Sequence, residues 1–197
     1  MEQADVLNLL RESHAMLEGH FELSSGLRSD RYFQCALVLQ HPGKAGLLGV
    51  ALGERFRDDR IDVVIGPAMG GIIIAHEVAR FLGARCLFTE RVDGKMALRR
   101  GFTLDPRERV LIVEDVVTTG GSAAEVVQLA RTLGVTVAGV GCIVDRTGGK
   151  NPFDVDFRPL ATVEVKTWKP EDDPLAKQGS IPVKPGSRTA TAARVAG

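Results

Sequence analysis

Between Asp62 and Val144 the chain alternates short, uninterrupted apolar runs with segments whose apolar residues recur at helical spacing. Asp62-Val-Val-Ile-Gly66, Ala84 to Thr89, Arg109 to Val113 and Val135 to Val144 read as strands. They lack the in-out alternation of a half-exposed strand, so they are expected to be covered on both faces. Gly71 to Phe81 and Gly121 to Leu133 read as helices, stopped by Gly83 and Gly134. Strands alternating with helices specify βαβ units, and hence an α/β fold with a central parallel sheet flanked by helices. A chain of 197 residues suits one such domain.

The flanking segments follow a different grammar. Residues 2–18 carry Val6, Leu9, Leu10, Met16 and Leu17 near one stripe and are expected to be helical, and residues 19–40 read as strand-like. His41-Pro42-Gly43 opens a helix marked by Leu47, Leu48, Ala51, Leu52 and Phe56. The polar stretch after Thr89 holds Asp93-Gly94, a strong hairpin signal. Past Thr167 the chain turns to Pro, Asp, Lys and Gly, and residues 189–197 are expected to form a disordered tail to a single domain of residues 1–188.

Charge and cysteine usage narrow the classes of partner. Lys+Arg and Asp+Glu both number 25, which argues against wrapping nucleic acid or lying on acidic lipid. One Trp and one Tyr make a poor base-stacking surface. Cys35, Cys86 and Cys142 form no CxxC pair, as expected of a chain in a reducing cytoplasm. The most apolar run, Val63 to Ala75, is broken by Gly66, Pro67, Gly70 and Gly71 and falls short of the ~20 residues that span a membrane.

The chemistry concentrates at Glu114-Asp115-Val116-Val117-Thr118-Thr119-Gly120-Gly121-Ser122. A buried strand delivers two carboxylates at its C-terminal end, where ligands bind in open α/β sheets. A loop of Thr, Gly and Ser follows and opens a helix. Its free N–H groups, its hydroxyls and the helix N-terminus suit a phosphate, while the acid pair can accept from two sugar hydroxyls. Together they read as a site for a phosphorylated sugar. Neither GxxxxGK[ST] nor GxGxxG occurs. A second Gly-rich strand-to-helix turn, Gly66-Pro67-Ala68-Met69-Gly70-Gly71, would seat a further phosphate, its glycines allowing close approach to the backbone. Arg91, Lys95, Arg99 and Arg100 cluster in or beside the hairpin, and cations closing over a departing anion would stabilise its developing charge. Arg146, next to Asp145 at a strand end, could grip a carboxylate with two parallel bonds.

The acid pair and loop closely resemble the phosphoribosyl pyrophosphate (PRPP) signature of the type I phosphoribosyltransferases. The resemblance implies that Glu114 and Asp115 hold the ribose hydroxyls, that Val116 to Ser122 hold the 5-phosphate, and that Ala68, Met69, Gly70 and Gly71 hold pyrophosphate. The segment Gly19-His20-Phe21-Glu22-Leu23-Ser24-Ser25-Gly26-Leu27-Arg28-Ser29-Asp30-Arg31-Tyr32-Phe33 is similar to the N-terminal hood of the orotate phosphoribosyltransferases, as is the ending Val183 to Arg188. That implies a hood formed mainly by residues 1–40 with a C-terminal contribution, a flexible β-hairpin flap, and orotate contacts from Thr118, Arg146 and Phe33. It also implies catalytic roles for Lys95 and Arg91, Mg²⁺ bound through PRPP, and a homodimer whose flap is shared between subunits. The chain departs from many members at Ser24, which replaces Lys, at Met69-Gly70, which replaces Tyr-Lys, at Val92, which replaces a basic residue, and at Ala97, which replaces His. A transferase for another base, such as adenine or uracil, and a non-catalytic PRPP-sensing regulator are the alternatives.

Overall fold

The computed structural model describes residues 1–23 and 25–185; the expected tail at 189–197 and the departure at Ser24 lie outside them. In chain order the elements are α1 (Gln3–Glu12), β1 (Met16–Glu22), β2 (Arg28–Phe33), α2 (Ala36–Leu39), α3 (Pro42–Glu54), β3 (Val63–Pro67), α4 (Gly71–Leu82) and β4 (Arg85–Val92). There follow β5 (Lys95–Leu98), β6 (Arg109–Val117), α5 (Gly121–Thr132), β7 (Thr136–Asp145), β8 (Phe157–Thr162), β9 (Thr167–Trp168) and α6 (Pro174–Lys177).

The chain divides into two compact units, one of residues 1–15 and 34–164, the other of residues 16–33 with the chain from Val165 on. The larger unit holds a six-stranded sheet in the order β5-β4-β3-β6-β7-β8. Every pairing is parallel except that of β5 with β4. The apolar runs alternate their side chains between two helical layers. Val63, Ile65, Leu87, Val110 and Ile112 form one core with Val126, Val127 and Ala130 of α5. Helix α4 packs on β3, β4 and β6, and α3 packs on α4. Alpha-helix α3 can approach so closely because Gly49 and Gly53 lack side chains: a methyl at either would stand 2.4 Å from Glu77 Cβ or Phe81 Cδ1. Each fully buried Val, Ile or Leu contributes about 1.5–3 kcal/mol, so this two-sided core holds the strand ends in register.

Three differences from the sequence reading have physical causes. The helix expected over 2–18 stops at Glu12, because His14 takes a left-handed φ of 53° and Met16–Leu17 pair with β2 instead. An apolar pair fits a helix stripe and a strand equally well, and the turn decides. The hood is narrower than residues 1–40: α1 and α2 belong to the larger unit, α1 packing on β8. Strand β8 was not anticipated; it carries Pro159, which is tolerated at a sheet edge.

The smaller unit is the three-stranded sheet β1-β2-β9 with the C-terminal segment against it. His20 Nε2 lies 2.6 Å from Asp173 Oδ2 and its Nδ1 lies 3.0 Å from Ser180 Oγ. Asp173 Oδ1 meanwhile accepts from the Leu175 and Ala176 amides and caps α6. Buried His20 and Asp173 thus fasten the returning chain to β1. Phe33 ends β2 and is half-buried.

The expected hairpin is present. Strands β4 and β5 pair antiparallel around Asp93-Gly94, whose φ values of 49° and 81° suit a tight two-residue turn. Arg100 is committed to its base: its Nε and Nη2 donate to the two oxygens of Glu90, at 2.9 and 2.8 Å, and the cation lies 5.6 Å above the Phe88 ring.

Candidate active site

Strand β6 runs on to Val117, so Glu114 and Asp115 sit in its last turns of pleat rather than beyond it, with Val116 opposite Val144 and Val117 opposite Asp145 on β7. The chain then bends through Thr118 and Thr119, both exposed, to Gly120. Gly120 has φ 80°, and a methyl there would stand 2.8 Å from Pro152 Cγ, so conformation and space both demand glycine. Helix α5 starts at the next residue. Its Ala124 N–H bonds to Gly120, and the preceding amides ring a small cavity of about 80 Å³ lined by Glu114 and by Val116 through Ala123. Amides at a helix N-terminus, three hydroxyl-bearing side chains and a carboxylate thus border one small space.

The second loop meets the first at the acid pair. Beta-strand β3 ends at Pro67, the Ala68 amide donates to Thr89 O at 2.8 Å, and the Ala68–Met69 peptide is cis. Met69 is exposed. A methyl on Gly70 would stand 2.5 Å from Asp115 Oδ1, and one on Gly71 would stand 2.8 Å from Val113 O and 3.3 Å from Glu114 Oε2. The sequence reading expected these glycines to admit a ligand to the backbone; in the structure what they admit is the acid pair itself. Gly70 and Gly71 seat the carboxylates, and Glu114 borders the pocket.

The loop after β7 arrives beside the end of β6. The Arg146 amide donates to Val117 O at 2.8 Å, which ties this residue's backbone to the end of β6. Asp145 is buried, and its carboxylate accepts from the Thr147 amide at 2.7 Å and the Gly149 amide at 3.3 Å. The sequence reading named Arg146 and passed over Asp145, although Asp followed two residues on by Thr and then Gly-Gly is a side-chain-held turn. The Asp145 carboxylate shapes the loop that carries Arg146.

The acids are held against their preference. Burial, with the adjacent Asp115 charge adding to it, pushes the Glu114 carboxyl up to about 8, and burial also raises Asp115. Since Glu114 binds its proton more tightly folded than unfolded, ionising it costs stability. That cost is absent below the ordinary value of 4.5, grows as pH rises, and levels off above about 8. Glu114→Gln is therefore expected to raise the Tm of the ligand-free protein at pH 9 and to leave it unchanged near pH 4.5. A relief of about 1 kcal/mol moves Tm by roughly 2–4 °C in a domain of this size. Coincident melting curves at pH 9 would show that Glu114 carries no such burden.

The flap residues stand in two states of engagement. Arg91 is paired with Glu125 on α5, at 3.0 and 3.1 Å, a partner that the sequence reading missed because the two are far apart in the chain. Lys95 is exposed and takes part in no ion pair among the described residues; with Gly121 it borders a groove along α5.

Comparison with known proteins agrees with this geometry. Residues 38–174 match the family described as phosphoribosyl transferase domain. The chain is 55% identical over 188 residues to an orotate phosphoribosyltransferase of Pelotomaculum thermopropionicum, covering 95% of this chain and 99% of that protein. Among solved structures it resembles an orotate phosphoribosyltransferase from Aeropyrum pernix, with a TM-score of 0.64 at 28% identity, covering 80% of this chain and 93% of the other. An adenine phosphoribosyltransferase from Rhodothermus marinus gives the same TM-score, 0.64, at 24% identity over 81% of this chain and 99% of the other. The backbone therefore does not distinguish the base; near-full-length sequence likeness does. The acid pair on β6, the small-residue loop that opens α5 and the extent of this likeness place the chain in the orotate phosphoribosyltransferase family.

Proposed function

We propose that this protein transfers the 5-phosphoribosyl group of PRPP to N1 of orotate, yielding orotidine 5′-monophosphate and pyrophosphate, and that it does so as a homodimer in a reducing cytoplasm. The observation that carries the reading is the seam at Gly70, where the second Gly-rich loop is packed directly on Asp115 beside the phosphate-sized cavity. One acid pair so placed can hold a ribose between a 5-phosphate on one side and a pyrophosphate on the other. The free thiols of Cys35, Cys86 and Cys142 accord with a reducing compartment, and no helix among the described residues is long and apolar enough to cross a membrane.

In this reading Thr118, Thr119 and Ser122 donate to the 5-phosphate together with the amides that open α5. Glu114 and Asp115 accept from the ribose hydroxyls. Arg146 grips the orotate carboxylate, and Thr118 lies against the base. As the bond between C1′ and pyrophosphate breaks, positive charge grows on the ribose and negative charge on the leaving group. The half-buried carboxylates then gain a cationic neighbour, and Lys95 of the flap gains an anionic one, so both interact more strongly with the transition state than with bound PRPP. Orotate N1 attacks from the face opposite pyrophosphate, and no side-chain nucleophile is required.

Mg²⁺ enters this scheme with the substrate. The described residues include no group of three or more His, Cys, Asp or Glu side chains placed to hold a metal. An ion that keeps its waters and takes substrate phosphates as ligands fits such a site. Bound to PRPP, it would neutralise the pyrophosphate.

The test is turnover with PRPP, Mg²⁺ and a panel of orotate, adenine and uracil. Orotate alone should be consumed, and consumption of another base in its place would overturn the assignment. Arg146→Ala should then raise the orotate KM while moving the PRPP KM little. Loss of a charge-assisted pair costs about 1.5–3 kcal/mol, or roughly tenfold to a hundredfold in KM. An unchanged orotate KM would give Arg146 a purely structural role.

A further inference from the structure

The proposed chemistry leaves one buried carboxylate at the strand ends unused. Asp145 is the last residue of β7 and is 1% exposed. Its backbone is fixed from both sides of the sheet: it stands opposite Val117 on β6 and Thr162 on β8, and its carbonyl accepts from the Val163 amide at 2.8 Å. Its side chain reaches forward into the turn that follows. One oxygen accepts from the Thr147 amide at 2.7 Å and the other from the Gly149 amide at 3.3 Å. Gly148 and Gly149 take φ values of 74° and 82°, so the chain coils back over the carboxylate in a conformation that glycine adopts without strain. Thr147 Oγ1 donates to Lys150 O at 2.5 Å and closes the far side of the turn. Half-buried Arg146 is the one residue between the strand end and these anchors, and its own amide is tied to Val117 O.

We infer that Asp145 is a positioning residue for the base subsite: by holding the Thr147 and Gly149 amides it fixes the backbone that aims Arg146 at the orotate carboxylate. The inference rests on the proposed transferase reading for the ligand that Arg146 meets; the hold on the turn can be measured without any substrate. A guanidinium grips a carboxylate through two parallel bonds only when its plane is set in direction as well as distance. Its stem is long and rotatable, so that direction depends on where its backbone stands. A neutral Asn or Ser can also start such a turn, but each brings one oxygen to two amides. The ionised acid brings two, and a charged acceptor holds an amide more firmly than a neutral one. Asp145 is not among the residues that line the phosphate cavity, so changing it separates binding of the base from binding of PRPP.

The experiment compares Asp145→Asn and Asp145→Ala, each alone and combined with Arg146→Ala, with the parent chain. In the ligand-free proteins, amide hydrogen exchange at Thr147 and Gly149 should quicken about tenfold in Asp145→Ala. Asp145→Asn keeps one acceptor oxygen and should quicken chiefly Gly149. In turnover, the orotate KM should rise about tenfold in Asp145→Ala and about threefold in Asp145→Asn, while the PRPP KM stays within about twofold. A merely structural role would move both KM values together, along with Tm. In the Arg146→Ala background neither substitution should raise the orotate KM further, because the group being positioned is gone. An orotate KM unchanged in both single variants, or losses that multiply with that of Arg146→Ala, would overturn the inference, as would unchanged exchange at Thr147 and Gly149. Should Asp145→Ala not fold, Asp145→Asn carries the same split between the two KM values. Were the parent protein to turn over no orotate, the transferase reading would fall, and the exchange measurements would still decide whether the carboxylate holds the turn.

Discussion

Asp115→Asn should reduce kcat/KM for PRPP by about a hundredfold to a thousandfold while the protein stays folded. The substitution keeps the side chain's shape and one acceptor oxygen, the one that now takes the Val116 amide at 2.9 Å. It removes the charge. Two losses follow. Hydrogen bonds from ribose hydroxyls to a carboxylate are worth about 1.5–3 kcal/mol each, against about 1 for a neutral acceptor. In the proposed reading the carboxylate also faces the positive charge that grows on the ribose as pyrophosphate leaves, an interaction absent from the ground state. Together these reach about 3–4 kcal/mol, which is the factor stated. Stability should move the other way or not at all. Burial raises the Asp115 pKa, so the ionised acid costs the empty protein free energy that the amide does not. Loss of activity with a retained or higher Tm separates a ligand contact from a folding defect. Activity equal to that of the parent would remove the ribose from this pair.

The same opposition between stability and site chemistry explains why the acid pair was easy to see in the sequence. Two adjacent carboxylates at the end of Val110-Leu-Ile-Val violate the rule that a buried run ends on neutral groups, and local rules are broken where function requires it. The parallel sheet was legible for a related reason. Strands buried on both faces must be continuously apolar, and the period and length of the helices between them do not depend on distant contacts.

What was not legible depended on pairs far apart in the chain. Glu125 looks like any exposed helix residue until the hairpin brings Arg91 and Met96 to it. Gly70 reads as a ligand-facing glycine until Asp115 is placed against it. His20 shows no ligand spacing, and its partner Asp173 lies 153 residues on. Residues 13–16 failed for a different reason: a left-handed φ at one residue, His14, leaves no mark in hydrophobic periodicity. Arg100 is the converse. Its charge invited a functional reading, and the structure spends it on Glu90 and Phe88 at the base of the flap.

Lys95→Ala should lower kcat by about a hundredfold to a thousandfold, the usual loss when one donor aimed at developing charge is removed. PRPP affinity should change little, because pyrophosphate gains its extra negative charge only as the C1′–O bond breaks. Tm should not move: the side chain is exposed and contributes no ion pair among the described residues. The contacts of Glu125 with Arg91 and Met96 do not involve this side chain, so the variant removes the cation alone. That property makes it suitable for asking whose pocket the flap serves. In the proposed homodimer, mixing Asp115→Asn with Lys95→Ala chains would give heterodimers in which one subunit has an intact pocket and the other an intact flap. If the flap crosses to the partner subunit, those two intact parts meet at one site, and half-site activity returns. If it closes over its own pocket, alongside Gly121 with which Lys95 borders one groove, each subunit keeps one broken part and no activity returns. Recovery on mixing, with heterodimer formation confirmed by mass, is the expected result; its absence would place the action of Lys95 within a single chain.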